Sequence, residues 1–324
     1  MGMRWYVARR LMWTGVVAFI IVSVTWVLFR FTPNQEVLQA GQRAAMRGAN
    51  ATEAQERIRQ IEGLNQPLWQ QYVDYVVNVF TLNWGYSDSR AQPVTDALLS
   101  SLYYTAQYSI PWTIGTVVFG TAAGLYSAAN QYSWKDNAAT LLAFFGLSIP
   151  NFWFAIMLLL VFGVYLQWVP IVYQSNVAVF SWLNVKQLIL PVFVLITGSV
   201  ATIHRVSRNE SAEYLNADFV KTARAKGADS QRIFTRHILR PAAVPMSTTY
   251  VGTLLALFTG SSVVVEEVFS IPGLGRTLLQ GIIAQDTSLV LGAFFVFTAI
   301  AVIGNLIQDI VYTVLDPRID FSDR

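Results

Sequence analysis

Few side chains in this sequence suit covalent or metal chemistry. The 324 residues include no cysteine and only two histidines, His204 and His237. Thiolate catalysis, a disulfide framework and a multi-histidine metal centre are therefore excluded. An ATP site of the P-loop type needs a lysine behind a glycine-rich turn whose amides cradle phosphate. None of the four lysines (Lys135, Lys186, Lys221, Lys226) follows a glycine. Gly273-Leu274-Gly275 lacks the third glycine and the strand–helix–strand setting of a dinucleotide loop. Neither H-E-x-x-H nor a G-x-S-x-G nucleophile elbow is present. Enzyme activity in this chain alone is not expected.

The segment 210–243 suits mechanical work instead. It reads ESAEYLNADFVKTARAKGADSQRIFTRHILRPAA and interrupts an otherwise apolar polypeptide. Asn216 or Asp218 can cap a short helix running to about Lys226. Gly227 follows where a left-handed cap is wanted. Helical spacing puts Phe219, Val220 and Ala223 on one side and Lys221 and Arg224 towards the other, while small Ala225 permits close approach. Asp229 or Ser230 can start a second helix that ends near Pro241. On it Arg232, Arg236 and Arg240 form a stripe. Anionic lipid headgroups would attract such a stripe by roughly 1 kcal/mol per basic residue. Lipid contact does not account for a short glycine-ended helix with an aromatic tooth, which suits a rigid lever for an outside motor.

The elements that must hold this lever are membrane spans. The chain is 54% hydrophobic and 13% charged, against about 25% charged in soluble domains. A spanning helix needs about 20 mostly apolar residues. Charge-free intervals place six: Leu11–Phe29, Thr105–Ala128, Ala139–Leu166, Gln187–Ile203 (short and proline-bearing), Pro241–Val265 and Thr287–Gln308. Six crossings leave both termini on one side. With the N-terminus cytoplasmic, that side carries fourteen Lys and Arg against eight outside, as the positive-inside rule requires. The first apolar run is longer than that of a signal peptide and has no A-x-A-like cleavage site, so it is read as a retained span.

The expected organisation is a cytoplasmic start and first span (1–31), an external insertion (32–100), a permease core (101–315) and a cytoplasmic tail (316–324). The core carries the loop at about 208–243. Within the insertion, Ala51–Glu62 reads as a polar helix and Leu68–Phe80 as a more apolar one, with breaks around Pro33 and Pro67. The insertion can be a cap on the span ends and a platform for an external partner. Asn50-Ala51-Thr52 is a glycosylation triplet, a pattern that usually carries nothing. Pro150-Asn151 can kink the third span. After the fifth span, Pro272, Gly273 and Gly275 break the helix, and Leu278–Ile283 can form a return helix. That stretch is read either as a packed hairpin or as an outer gate or binding-protein contact, with Glu266 and Glu267 accepting charge.

These residues carry a family resemblance. Phe219–Gly227 (FVKTARAKG) with Arg236-His237-Ile238-Leu239-Arg240 resembles the coupling loop of ABC transporter permeases. The dipeptide/oligopeptide/nickel permease family is the nearest match. Glu267–Gly275 (EVFSIPGLG) resembles that family's E-x-V-F-x-x-P-G-L-G stretch, Ser148–Phe152 its third-span start, and Asp316-Pro317-Arg318 its ending. The similarity covers essentially the whole chain. The chain departs from the general E-A-A-x-x-x-G pattern at Lys221 and Thr222, which disfavours a sugar-type permease.

The resemblance implies an all-α polytopic fold of the type I ABC importer kind, with six spans and cytoplasmic termini. It implies one half of a heterodimeric pore beside a homologous second permease subunit. One or two cytoplasmic ATPase subunits would bind the ATP and Mg, and this chain would hold no cofactor. An external solute-binding protein would deliver short peptides. Phe219, Ala223, Arg224, Ala225, Lys226 and Gly227 would form the coupling element, with Phe219 as the tooth in an ATPase cleft. Nickel chelates or sugars are alternative cargoes. An ion-coupled secondary transporter is the rival class, and it would usually place an acid or histidine near mid-membrane. No nucleic-acid partner is expected.

Overall fold

The computed structural model describes residues 3–31, 34–215, 217–229, 232–256 and 263–315. Pro33, Asn216, Ser230, residues 257–262 of the expected fifth span and the tail 316–324 with Asp316-Pro317-Arg318 lie outside them.

The described chain is built almost wholly of helices. Four come first: α1 (Met3–Arg30), α2 (Gln35–Met46), α3 (Ala51–Ile61) and α4 (Leu68–Phe80). The polar and apolar helices expected in the insertion are thus present as α3 and α4, and α2 adds one that the sequence reading missed. Asn34 and Asn50 cap α2 and α3 by accepting from backbone amides. A short antiparallel pair, β1 (Tyr86–Ser87) and β2 (Gln92–Pro93), follows α4. It runs directly into α5 (Val94–Ala129).

Next come α6 (Trp134–Ser148) and α7 (Asn151–Leu158), the latter continued by a π-helical stretch Leu159–Tyr165. They enclose a 94° bend. Pro150 causes it, because a proline removes a donor and pushes the preceding residue out of helical geometry. The third expected span is therefore interrupted at Pro150, as a broken span or a re-entrant loop would be. After it come α8 (Trp182–Leu215), α9 (Asp218–Ala225), a π-helical stretch Ile233–Ile238 and α10 (Leu239–Ala256). The chain continues with α11 (Val263–Val268), α12 (Leu274–Ala284) and α13 (Thr287–Leu315).

Val7–Leu28, Trp182–Leu215 and Thr287–Ile310 are long and apolar enough to cross a bilayer, and the bent pair is a candidate fourth crossing. The other two expected crossings fall on α5, which is 36 residues long, and on α10.

The core lies between α5 and α8. Three α5 glycines let the two backbones approach. A Cβ on Gly115 would meet the tip of Ile196, one on Gly120 would meet Ile203, and one on Gly124 would meet the His204 carbonyl and Arg208 amide. Small residues at such contacts are how membrane helices gain packing when lipid is as apolar as their side chains. Around this seam Tyr108, Trp112, Leu188, Val194 and Leu195 are buried with Val265, Phe269 and Ile271. A second cluster joins Val94, Ala97 and Leu98 of α5 to Leu274, Leu289 and Ala293. Many large apolar side chains remain exposed on the outer helix faces, such as Ile110, Ile114, Val118 and Phe119 of α5. That is the expected surface where lipid or another subunit replaces water.

Candidate functional site

The basic segment folds as a lever fixed at its base. Helix α9 contributes Val220 and Ala223 to a small buried cluster with Ile233 and Ile238. Tyr214, Leu215, Ala228 and Phe234 pack round it. A two-turn helix gains little stability by itself, so this miniature core is what holds α9 against its neighbours. The C-terminus is a Schellman motif. The Ala228 amide donates to the Ala223 carbonyl (3.1 Å) and the Gly227 amide to the Arg224 carbonyl (3.0 Å). Gly227 sits at φ +79°, the left-handed conformation that favours glycine.

Three expectations for this segment need correction. Asp218 is the first residue of α9 and not its cap; Ala217 precedes it and supplies no side-chain cap. The second helix does not end near Pro241. Asp229 accepts from the Arg232 amide (2.6 Å), and helical backbone then continues through Pro241 to Ala256. Proline, which has no amide to donate, is accommodated there because the π-helical turn just upstream interrupts the regular α-helical hydrogen-bond ladder. Phe219 does not share the buried side with Val220 and Ala223. Its ring is 46% exposed and rests against Tyr214, centroids 6.3 Å apart. One step along a helix turns a side chain by about 100°, which carries Phe219 out of the cluster.

Arg224, Ala225, Lys226 and Gly227 are exposed beside Phe219, as is Lys221. Lys221 pairs with Asp218 at 2.9 Å, a solvated pair of small energetic weight. Arg232, Arg236 and Arg240 are all exposed. The surface that α9 presents thus carries one exposed aromatic ring and several exposed cations, on a helix packed against a small apolar core.

At the far end of α8 and α5 lies the second expected site. Glu266 is fully buried. Its Oε1 accepts from the Tyr108 hydroxyl (2.6 Å) and Thr105 Oγ1 (2.8 Å), and its Oε2 from the Arg276 amide (2.8 Å). Thr105 Oγ1 also accepts from the Leu274 amide at 2.8 Å. One carboxylate therefore pins the turn between α11 and α12 onto α5. Ser270 adopts φ +58° in that turn. Gly273 is required by close approach: a Cβ there would collide with the Glu266 carboxylate and Thr105 Oγ1.

Glu266 is an internal tether and does not present charge to an outside partner, because burial and three donors occupy it. Glu267 is exposed and pairs with Arg276 Nε at 3.1 Å. Pro272 and Gly273 form the turn as expected. Gly275 does not break a helix. It lies in the first turn of α12, which begins earlier than the expected return helix, and its missing side chain makes room for Val263.

Next to this turn, the β1–β2 hairpin clamps the α12–α13 corner. Asp286 Oδ2 accepts from Ser87 Oγ (2.6 Å), Ser89 Oγ (2.7 Å) and the Ser89 amide (3.0 Å); Oδ1 accepts from the Leu289 amide (3.0 Å). Burial pushes the Asp286 carboxyl up, but the donors from Ser87, Ser89 and Leu289 outweigh it and hold the group below its ordinary value. Arg90 donates to Gln280 Oε1 (2.8 Å) and Thr277 Oγ1 (3.0 Å). Burial, and secondarily the positive charge of Arg276, lower the Arg90 value.

The sequence reading missed this clamp, the Thr105 and Tyr108 partners of Glu266, and an ion pair between buried Asp136 and half-buried Arg208. Each joins residues more than 70 positions apart. The available signal was an acid at the edge of an apolar interval, as at Asp136 and Glu266. Among the described residues no group of three or more His, Cys, Asp or Glu could hold a metal ion.

Comparison with known proteins gives this geometry its family. Residues 120–321 match the model of the binding-protein-dependent transport system inner membrane component. Residues 3–108 match that of the N-terminal part of such membrane components. The chain is 32% identical over 320 residues to the oligopeptide transport system permease protein AppB of Bacillus subtilis, covering 98% of this chain and 99% of the relative. It is 31% identical over 318 residues to the oligopeptide transport system permease protein OppB of Haemophilus influenzae, with 98% and 99% covered. It is 30% identical over 319 residues to the glutathione transport system permease protein GsiC of Escherichia coli strain K12, again with 98% and 99% covered. Long apolar helices and a match along nearly the whole chain together place this protein in the family of inner-membrane components of binding-protein-dependent transport systems.

Proposed function

We infer that this chain is the permease subunit of an ATP-driven importer of short peptides. The observation that carries the reading is near-full-length similarity to permeases named for oligopeptides and for glutathione, itself a small peptide. In this reading the chain crosses the membrane six times, with both termini and α9 on the cytoplasmic side and residues 32–100 outside. A homologous second permease completes the pore. One or two cytoplasmic ATPase subunits bind ATP and Mg, and an external binding protein delivers cargo to the outer corner.

The lever geometry supports the division of labour. Phe219, Arg224 and Lys226 are exposed on a helix whose other face is buried, so an ATPase cleft can hold the ring. Closure of the ATPases then moves α9 as a solid body. A motor biases two conformations only if it contacts them differently, and a fixed tooth supplies such a contact. Ala223 fixes the helix to its base, Ala225 allows close approach and Gly227 allows the sharp exit. At the outer end, exposed Glu267, paired with half-buried Arg276, offers a charge to a partner, while Glu266, Pro272, Gly273 and Gly275 shape the turn beneath it.

The test is Phe219→Asp in the assembled transporter reconstituted into vesicles. The variant is expected to insert and to leave the ATPases able to hydrolyse ATP, while uptake of a labelled short peptide falls at least tenfold. Uptake at the unmodified rate would overturn the coupling assignment. Peptide uptake that disappears when ion gradients are collapsed, with ATP still supplied, would point to the ion-coupled rival.

A further inference from the structure

The lever is carried by two helices, and both are tied to the bundle at one level. Helix α8 leads into α9 across two residues. Two turns before its end, Arg208 forms a two-point ion pair with Asp136 of α6: Nε to Oδ1 at 2.8 Å and Nη2 to Oδ2 at 2.6 Å. Asp136 is 2% exposed. Its Oδ2 also accepts from the Tyr132 amide (2.9 Å), which fixes the α5–α6 turn, where Tyr132 adopts φ +63°. Helix α10, on the other side of the lever, is held by Tyr250. Its hydroxyl lies 2.6 Å from Thr121 Oγ1 of α5 and 3.2 Å from Ser207 Oγ of α8. The α5 backbone meets α8 at the same height, at Gly124.

Four helices therefore share one collar just above α9, and the ion pair is its only charged member among the described residues. Stability alone is a poor reason for it, because well-packed apolar residues often replace a buried ion pair without loss. A two-point guanidinium–carboxylate contact does fix direction as well as distance. Beyond the collar, α6 meets α7 at the 94° bend, and α7 packs on α11, which bears Glu266.

We propose that Asp136 and Arg208 are positioning residues for transport: their ion pair fixes the base of the lever to the bundle, so that displacement of α9 reaches the outer corner. The inference rests on α9 being the ATPase-coupled element.

The chain has no cysteine of its own, so reporter sites can be introduced singly. In the complete transporter in lipid nanodiscs, an environment-sensitive label would be placed at Thr222→Cys, exposed on α9. In a parallel preparation it would be placed at Ile283→Cys, 73% exposed at the outer end of α12. The probe is ATP with vanadate. In the unmodified background both labels are expected to respond. In Asp136→Ala and Arg208→Ala the inner response should persist while the outer one falls at least fivefold. The charge-exchanged pair Asp136→Arg with Arg208→Asp should recover half or more of the outer response, a rescue that general loosening of the fold does not give. Asp136→Asn, which keeps the shape, serves where alanine lowers the yield of assembled transporter. An undiminished outer response in the single variants overturns the proposal and leaves the coupling reading intact. A silent inner label in the unmodified transporter overturns the coupling reading, and the proposal with it.

Discussion

Two residues show how differently a motif position can act once its surroundings are known. Gly227 is open to solvent, and no atom lies within 4 Å of a Cβ built on it. Its constraint is conformational, because φ is +79°. Gly227→Val is therefore expected to strain the end of α9 by about 1–3 kcal/mol, whereas Gly227→Asn, which tolerates that region, should be milder. Limited proteolysis in the 226–229 segment reads the difference, and equal cleavage of both variants would refute it. Glu266 is constrained by partners instead. Glu266→Gln retains its shape but turns one acceptor oxygen into a donor amide facing donors. The expected cost is about 1–3 kcal/mol, seen as a lower unfolding temperature in detergent. An unchanged temperature would mean that the Thr105, Tyr108 and Arg276 donors are satisfied in another way.

At the scale of elements, the β1–β2 hairpin and the α5–α8 seam are the joints that set the α12–α13 corner and the bundle. Asp286 titrates lower in the folded protein than an unstructured aspartate does. Its contribution is accordingly complete above the unfolded value of about 3.9 and is lost as pH falls through the lower folded value. Amide hydrogen exchange at Ser87–Ser89 should stay slow from neutral pH down to about pH 4 and accelerate, after correction for intrinsic rates, only in more acid solution. In Asp286→Asn it should be fast throughout. Loss of protection already near neutral pH would contradict the clamp. Along the seam, Gly124→Leu should cost far more than Gly115→Ala. The added atoms at Gly124 face backbone of α8, while those at Gly115 face the flexible end of Ile196. Yields of folded protein from membranes would rank the two, and equal yields would argue against this helix contact.

At the scale of the whole molecule, the expected topology places the lever inside and the hairpin corner outside. With a cysteine-free background, a membrane-impermeant maleimide should modify Thr222→Cys only after the vesicles are opened from the cytoplasmic face. It should modify Asp88→Cys from the opposite face. Labelling of the 210–243 segment from the exterior would invalidate both the coupling surface and the inference built on it.

Hydrophobic burden, charge-free intervals and the placement of basic residues are one-dimensional properties. They sufficed to indicate a helical membrane protein and to bound α4, α9 and the break at Pro150, because local sterics and the bilayer act on consecutive residues. The glycine stop at Gly227 was legible for the same reason. Depth and partnership were not. Phe219 and Val220 are neighbours in sequence, yet one is exposed and the other buried. Glu266 and Glu267 likewise differ, one tethered inside and the other paired at the surface. Asp136 with Arg208 and Asp286 with Ser87 are joined only when distant helices meet, since a hydrogen bond depends on positions in space that no local run of residues encodes. The chain alone thus determined what kind of solvent it requires and where some of its helices, α4 and α9 among them, begin and end; packing in three dimensions decided which polar groups hold the helices together.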